Sequence, residues 1–207
     1  MPANRSVDFF DLQFQRQVEA REFALNPFEQ LALPHLRGRV LDLGCGLGNL
    51  AIEAARRGAA VTAVDGSASA IERIRDAAAS ERLNIEAVCA DIGQYAIRGS
   101  FDTVVAIGLL MFFPCERARA MLGELQQAVA DGGIAVVNVL VEGTTFMGMF
   151  DGDHYCLFGR TELAERFAGW ELLQHQHQDF DAPGGTRKAF VTVIARRPHS
   201  PGAGDSR

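Results

Sequence analysis

The chain has 207 residues, 48% of them hydrophobic and 22% charged, which supplies one domain's worth of core and excludes a disordered polymer. Twenty basic against 26 acidic residues give a net charge of −6, which argues against a nucleic-acid backbone as partner. The longest apolar run, Val104 to Phe113, is far shorter than the roughly 18 to 20 residues of a membrane-spanning helix, and the N-terminus has no apolar stretch before a small-residue cleavage site, so the chain is expected to be cytoplasmic and to contact no membrane.

Residues 1–36 carry Phe9, Phe10, Phe14, Phe23 and Phe28, five of the fourteen phenylalanines, and are expected to form a helical segment. It is read either as a lid that excludes water or as a helix packed on the sheet. After it, short β-branched runs alternate with segments of helical period, the pattern of a parallel sheet with crossover helices. Strands are predicted at Val40 to Leu43, Ala60 to Val64, Asn84 to Val88, Phe101 to Ile107 and Ile134 to Val141. Helices are predicted at Leu47 to Arg57, Ser67 to Ser80 and Pro114 to Ala130, with Ser67 as an N-cap, Pro114 in a first turn and Asp131-Gly132-Gly133 as a terminator. Gly143 to Gly159 has no clear period and reads as a long loop near a ligand. A short helix, Arg160 to Phe167, precedes two runs, Trp170 to His177 and Lys188 to Ala195, joined by the turn-rich Asp181 to Thr186 as an antiparallel hairpin. The main domain is thus expected to span 37–196, with a disordered tail at 197–207. Cys45, Cys89, Cys115 and Cys156 form no CxxC pair and are expected to be reduced thiols.

The strongest signal is VLDLGCGLGNL, in which a strand ends and Gly44, Gly46 and Gly48 open directly into a helix. Glycines there permit a tight turn and close approach of the backbone to a ligand. The spacing is GxGxG, which departs from the GxGxxG of dinucleotide sites, and Asp42 beside the loop suits an ammonium group better than a phosphate. Asp65 ends the second strand, where a carboxylate accepts from ribose hydroxyls, and Asp91 follows the third, where it accepts from an exocyclic amine. Three strands thereby deliver carboxylates to one edge, the crevice where open α/β sheets bind ligands.

On these residues the chain resembles the class I S-adenosylmethionine (SAM)-dependent methyltransferases. DLGCGLG resembles that family's first motif, Val64-Asp65 its second, Ala90-Asp91-Ile92 its third, FDTVVAIGLL its fourth strand and ADGGIAVVNV the approach to its fifth. Beyond the class, MFF after the fourth strand, FAGWELL and KAFVTVIARR resemble the tellurite-resistance (TehB-type) branch of small-molecule methyltransferases. The resemblance implies a doubly wound, mostly parallel seven-stranded sheet with an antiparallel last strand and an N-terminal helical lid. It implies that Gly44, Cys45, Gly46 and Gly48, with Asp42, cradle the methionine part of SAM, that Asp65 holds the ribose, that Asp91 and Ile92 address the adenine, that Gly66 and Ser67 line the same pocket, and that the carbonyl of Ile107 faces the ammonium group. Gly66 departs from the family, because many relatives place an apolar side chain there against the adenine.

The acceptor side carries less signal. His154 and Tyr155 in the long loop and Arg187 after the hairpin turn are candidates for catalytic contacts, and Arg187-Lys188 for facing an anionic acceptor. His175 and His177 alternate on one strand face, but with His154 and Cys156 they match no compact zinc pattern, so no metal is expected. The reading is an enzyme that transfers the SAM methyl to a small thiol, oxyanion or similar acceptor. The rivals are a nicotinamide-dependent oxidoreductase and a SAM-binding regulatory or accessory module without turnover. The oligomeric state is not legible.

Overall fold

A computed structural model describes residues 13, 14, 16–18, 23–152 and 154–200. Seven strands form one sheet in the order β3-β2-β1-β4-β5-β7-β6. β1 (Arg39–Leu43), β2 (Ala60–Asp65), β3 (Ile85–Cys89), β4 (Phe101–Ile107) and β5 (Val129–Leu140) are mutually parallel. β6 (Glu171–Ala182) and β7 (Thr186–Arg196) form a hairpin, and β7 runs antiparallel to β5. The order reverses at β1, between β2 and β4, and this reversal opens a crevice beyond the C-terminal ends of the strands.

Helices cover both faces. α1 (Pro27–Ala32), α2 (Asn49–Arg56) and α3 (Ala68–Glu81) bury one face, where Leu50, Ala54, Ile71 and Ile74 meet Val40, Val136 and Ile194. α4 (Cys115–Ala128) and α5 (Glu162–Arg166) bury the other, where Met121, Leu122 and Leu163 meet Leu41, Leu43 and Val137. The ends of the elements follow local chemistry. Asn26 caps α1 by accepting from the N–H groups of Phe28 and Glu29, and the Glu29 carboxylate accepts in return from the Asn26 N–H at 2.8 Å. Ser67 Oγ accepts from the Ala70 N–H at 3.2 Å and starts α3. Gly48, with φ of 71°, precedes α2, and a Cβ at that point would fall 2.4 Å from Ile74 Cγ1. Only glycine lets α2 approach α3 so closely.

Four details differ from the sequence expectation. The third helix stops at Ala128 and β5 begins at Val129, because Val129 already pairs with Phe101 before the register shift at Phe101/Thr103. Asp131-Gly132-Gly133 therefore lies inside the strand, where the Gly132 N–H donates to the Arg197 carbonyl and the Arg197 N–H to the Gly133 carbonyl. Residues 197–200, assigned to a disordered tail, are held at the start of β5. There the Arg197 guanidinium donates to the Val129 carbonyl at 2.7 Å and the Ser200 N–H to Asp131 at 3.1 Å. Residues 201–207 lie outside the described residues. Residues 27–36 are integral to the core, with Ala32, Leu33 and Leu36 buried beside Val40 and Leu50. Among the described residues no helix is long and apolar enough to cross a membrane.

The fourth difference concerns the cysteines, which were expected to be reduced. Cys45 and Cys89 are free thiols, but Cys115 and Cys156 form a disulfide across 41 residues, with Cα atoms 4.7 Å apart. The pairing is tertiary in origin. Cys115 opens α4, and the 143–159 loop folds back so that the Cys156 N–H donates to the Met111 carbonyl at 3.0 Å. The bridge ties the long loop to the segment after β4. Under non-reducing conditions a peptide linking Cys115 to Cys156 is expected in a proteolytic digest. Cys156→Ser is expected to lower stability by about 2–4 kcal/mol in urea unfolding, the usual contribution of such a cross-link.

Candidate active site

The C-terminal ends of the parallel strands open into a cavity of about 940 Å³. Ten of the eleven cofactor-site candidates line it: Asp42, Gly44, Cys45, Gly46, Asp65, Gly66, Ser67, Asp91, Ile92 and Ile107. Gly48 does not. Its role is the packing of α2 on α3 described above, so that glycine is explained by the core.

The loop after β1 is pinned to β2. The N–H groups of Gly44 and Cys45 both donate to the Val64 carbonyl, at 2.8 and 3.1 Å. Asp65 closes the arrangement from the end of β2. Its carboxylate accepts from the Gly46 N–H and from the Ser67 N–H, each at 2.9 Å, so one side chain orders both the glycine loop and the start of α3. Asp91 accepts from the Gly93 N–H at 2.9 Å in the turn after β3, and Phe113 lies against Gly93 beside it. Phe14 extends over Gly46, and Gln13, Phe14 and Gln17, all in helical conformation, line the cavity. Phe28 also lines it, whereas Phe23 is exposed over the Arg73 guanidinium. Phe9 and Phe10 lie outside the described residues.

One end of the cavity is strongly acidic. Asp42 is 4% exposed, and burial, aided by the nearby Glu29 and Asp65 carboxylates, pushes its pKa up to about 8. Burial likewise raises Glu29, and burial with the Asp42 and Asp65 charges raises the Cys45 thiol. Among the described residues, two of the three buried acceptors without donors, Asn49 Oδ1 and Asn138 Oδ1, belong to cavity-lining residues. Asn138 donates through Nδ2 to Thr192 Oγ1 at 2.9 Å, which leaves its oxygen for another partner. Buried carboxylates and orphaned acceptors together select a cationic, donor-rich ligand. The methionine end of SAM, with its ammonium and sulfonium, and the hydroxyls and amine of its adenosine fit that selection. A nicotinamide dinucleotide does not, because its diphosphate would face three carboxylates.

The catalytic candidates fall elsewhere. His154 is exposed and donates its N–H to the Asp151 carbonyl; Tyr155 stacks on Phe150 at 4.9 Å; Arg187 pairs with Asp179 at 3.4 Å. None of the three lines the cavity. His175 and His177 lie 5.0 Å apart on β6, also away from it. No group of three metal-ligating side chains occurs among the described residues. The other end of the cavity is formed instead by Phe28, Phe146, Met149, Lys188 and Phe190; Glu29, at the acidic end, and Asn138 were not foreseen from the sequence. Two of these had readable signals: Asn26-Pro27-x-Glu29 spells a capping box, and Asn138 is a single amide within the apolar run IAVVNVL.

Residues 40–133 match the family described as "Methyltransferase domain". The matched segment runs from β1 into β5 and holds the glycine loop, Asp65 and Asp91. The chain is similar to TehB proteins in sequence and in fold. It is 27% identical over 171 residues to the "Probable S-adenosyl-L-methionine-dependent methyltransferase TehB" of Haemophilus influenzae, covering 77% of this chain and 57% of that protein. The crystal structure of TehB from Haemophilus influenzae superposes with a TM-score of 0.72 at 22% identity, covering 84% of this chain and 62% of that one. The chain is also 30% identical over 172 residues to "Hemagglutinin 1" of Eikenella corrodens, covering 77% of this chain and 55% of that protein. It therefore spans little more than half the length of these curated relatives.

The raised pKa of Asp42 has a direct consequence for binding. Without a cationic ligand the carboxyl keeps its proton up to about pH 8, and a cation beside it favours the carboxylate, so binding expels the proton. Affinity for S-adenosylhomocysteine, whose amino group is cationic, is expected to rise between pH 6 and about 8, by up to about tenfold per pH unit, and then to level off. Asp42→Asn is expected to bind more weakly and with no such slope. Calorimetry across that range checks both.

Proposed function

We propose that this protein is a SAM-dependent methyltransferase acting on a small molecule. The observation that carries the reading is the convergence of Asp42, Asp65 and Asp91 with the glycine loop on one cavity, where buried carboxylates call for a cation. Asp42 and the backbone of Gly44 to Gly46 would hold the methionine part, with the Ile107 carbonyl facing its ammonium. Asp65 would take the ribose hydroxyls, and Asp91 and Ile92 the adenine, with Gly66 and Ser67 beside it. Phe113 supplies an apolar face next to Asp91 that Gly66 lacks.

When bound, SAM would supply a sulfonium-activated methyl open to in-line displacement by an acceptor lone pair, with the C–S bonding pair leaving on sulfur as S-adenosylhomocysteine. The protein's own contribution is orientation and exclusion of water, which supplies about 7–11 kcal/mol when reactants are well aligned. None of the five histidines and neither tyrosine lines the cavity, and the raised Asp42 carboxyl stands at its acidic end. Phe14 above Gly46, and Phe146 and Met149 from the disulfide-tethered loop, would screen the reacting atoms from water.

Two measurements test the reading. S-adenosylhomocysteine is expected to bind one per chain, whereas saturable NAD binding without it would overturn the assignment. Asp65→Ala is expected to weaken S-adenosylhomocysteine by roughly 10- to 150-fold in a folded protein, the loss of hydrogen bonds to a charged acceptor. Turnover on thiols, oxyanions, phenols and amines, read as S-adenosylhomocysteine release, separates an enzyme from a binding module without turnover.

A further inference from the structure

We propose that Lys188 recognises the methyl acceptor and that the acceptor is an apolar molecule bearing a single carboxylate. The proposal rests on the methyl-transfer reading for its role, but the anion site itself stands on separate observations. The Lys188 ammonium lies 4.7 Å from the centroid of the Phe146 ring, at the end of the cavity away from Asp42 and Asp65. Its neighbour Arg187 is satisfied by Asp179, whereas Lys188 has no carboxylate partner among the described residues. Burial alone lowers its pKa, so among the described residues no negative charge offsets its partial desolvation.

The strand register explains how a cation comes to stand in apolar surroundings. Lys188 and Phe190 share one face of β7, with Phe180 of β6 opposite Lys188 and Leu140 of β5 opposite Phe190. Phe28 of α1 packs on Phe180 at 5.6 Å and on Phe190 at 4.8 Å. Lys188 therefore projects from an aromatic wall, and Phe146 holds its head by a cation–π contact that leaves the charge unneutralised. A partly desolvated cation without a counter-ion carries a cost that an anionic ligand reduces. A lysine is a point charge that matches one oxyanion, without the fork that favours a bidentate or dianionic group. The surrounding ring faces are electronegative, and the Asp42, Glu29 and Asp65 carboxylates occupy the opposite end, so a second negative charge would be repelled. The cavity is thus divided by sign: the cationic donor at the acidic end, the anionic tail of the acceptor at Lys188, and the reacting atoms between them.

The test uses the full chain and three matched pairs: phenylacetate and phenylacetamide, 3-phenylpropionate and its amide, hexanoate and hexanamide. Each is titrated calorimetrically with and without saturating S-adenosylhomocysteine. At least one carboxylate is expected to bind about tenfold or more tightly than its amide, an advantage that Lys188→Met abolishes and Lys188→Arg partly retains, while S-adenosylhomocysteine affinity changes by less than about twofold. If no carboxylate outbinds its amide in the wild-type protein, or if Lys188→Met keeps the advantage, the proposal is wrong. The wild-type comparison decides even where a variant fails to fold. A Lys188-dependent carboxylate advantage in a protein that binds no S-adenosylhomocysteine would preserve the anion site and remove the methyl-transfer reading.

Discussion

A carboxyl group buried at the end of a central strand is stable only in company, and the company around Asp42 organises the rest of this molecule. The residue is enclosed by β1, the glycine loop and α1, and two further carboxylates, Glu29 and Asp65, lie close enough to raise its pKa. Left to itself the group protonates, and the proton is a placeholder for a cation. The fold thus concentrates unfavourable charge where, on the proposed reading, a positively charged donor would bind. Stability is locally set against ligand affinity, as at many functional sites.

The constraint extends outward through hydrogen bonds. Asp65 cannot turn away from Asp42, because its two oxygens are committed to the N–H groups of Gly46 and Ser67. Glu29 is fixed by its reciprocal cap with Asn26. The acidic end is therefore preorganised, with each carboxylate held by backbone donors whose own positions follow from strand and helix ends. The opposite end is built differently. It is lined by aromatic and sulfur-containing side chains from four separate segments, and its order depends on packing and on the Cys115–Cys156 bridge. One half of the cavity is thus ordered by hydrogen bonds to carboxylates and the other by apolar packing.

Phe28 connects these halves. It sits one residue before Glu29 on α1, so the helix that brings a carboxylate toward Asp42 also brings an aromatic ring onto Phe180 and Phe190. The hairpin of β6 and β7 is thereby coupled to the donor site through a single short helix. This coupling gives residues 27–36 a place in the core, beyond that of a cover.

The sequence by itself determined the sheet, its helices and the acidic donor end. Each of those is written in local terms: β-branched runs with period two, apolar positions at helical spacing, and an Asp or Gly at a strand end that topology must carry to the same edge. What only the tertiary structure decided is the acceptor end. Phe28, Phe146, Lys188 and Phe190 are scattered over more than 160 residues; Lys188 was readable as facing an anionic acceptor and Phe28 as part of a lid, but only the strand register and the loop fold bring the four together. His154, Tyr155 and Arg187 had the right chemistry but satisfy local partners, and Gly48 belongs to the α2–α3 contact. The disulfide was illegible for the same reason, because a pairing across 41 residues is fixed by where the chain returns and leaves no local pattern.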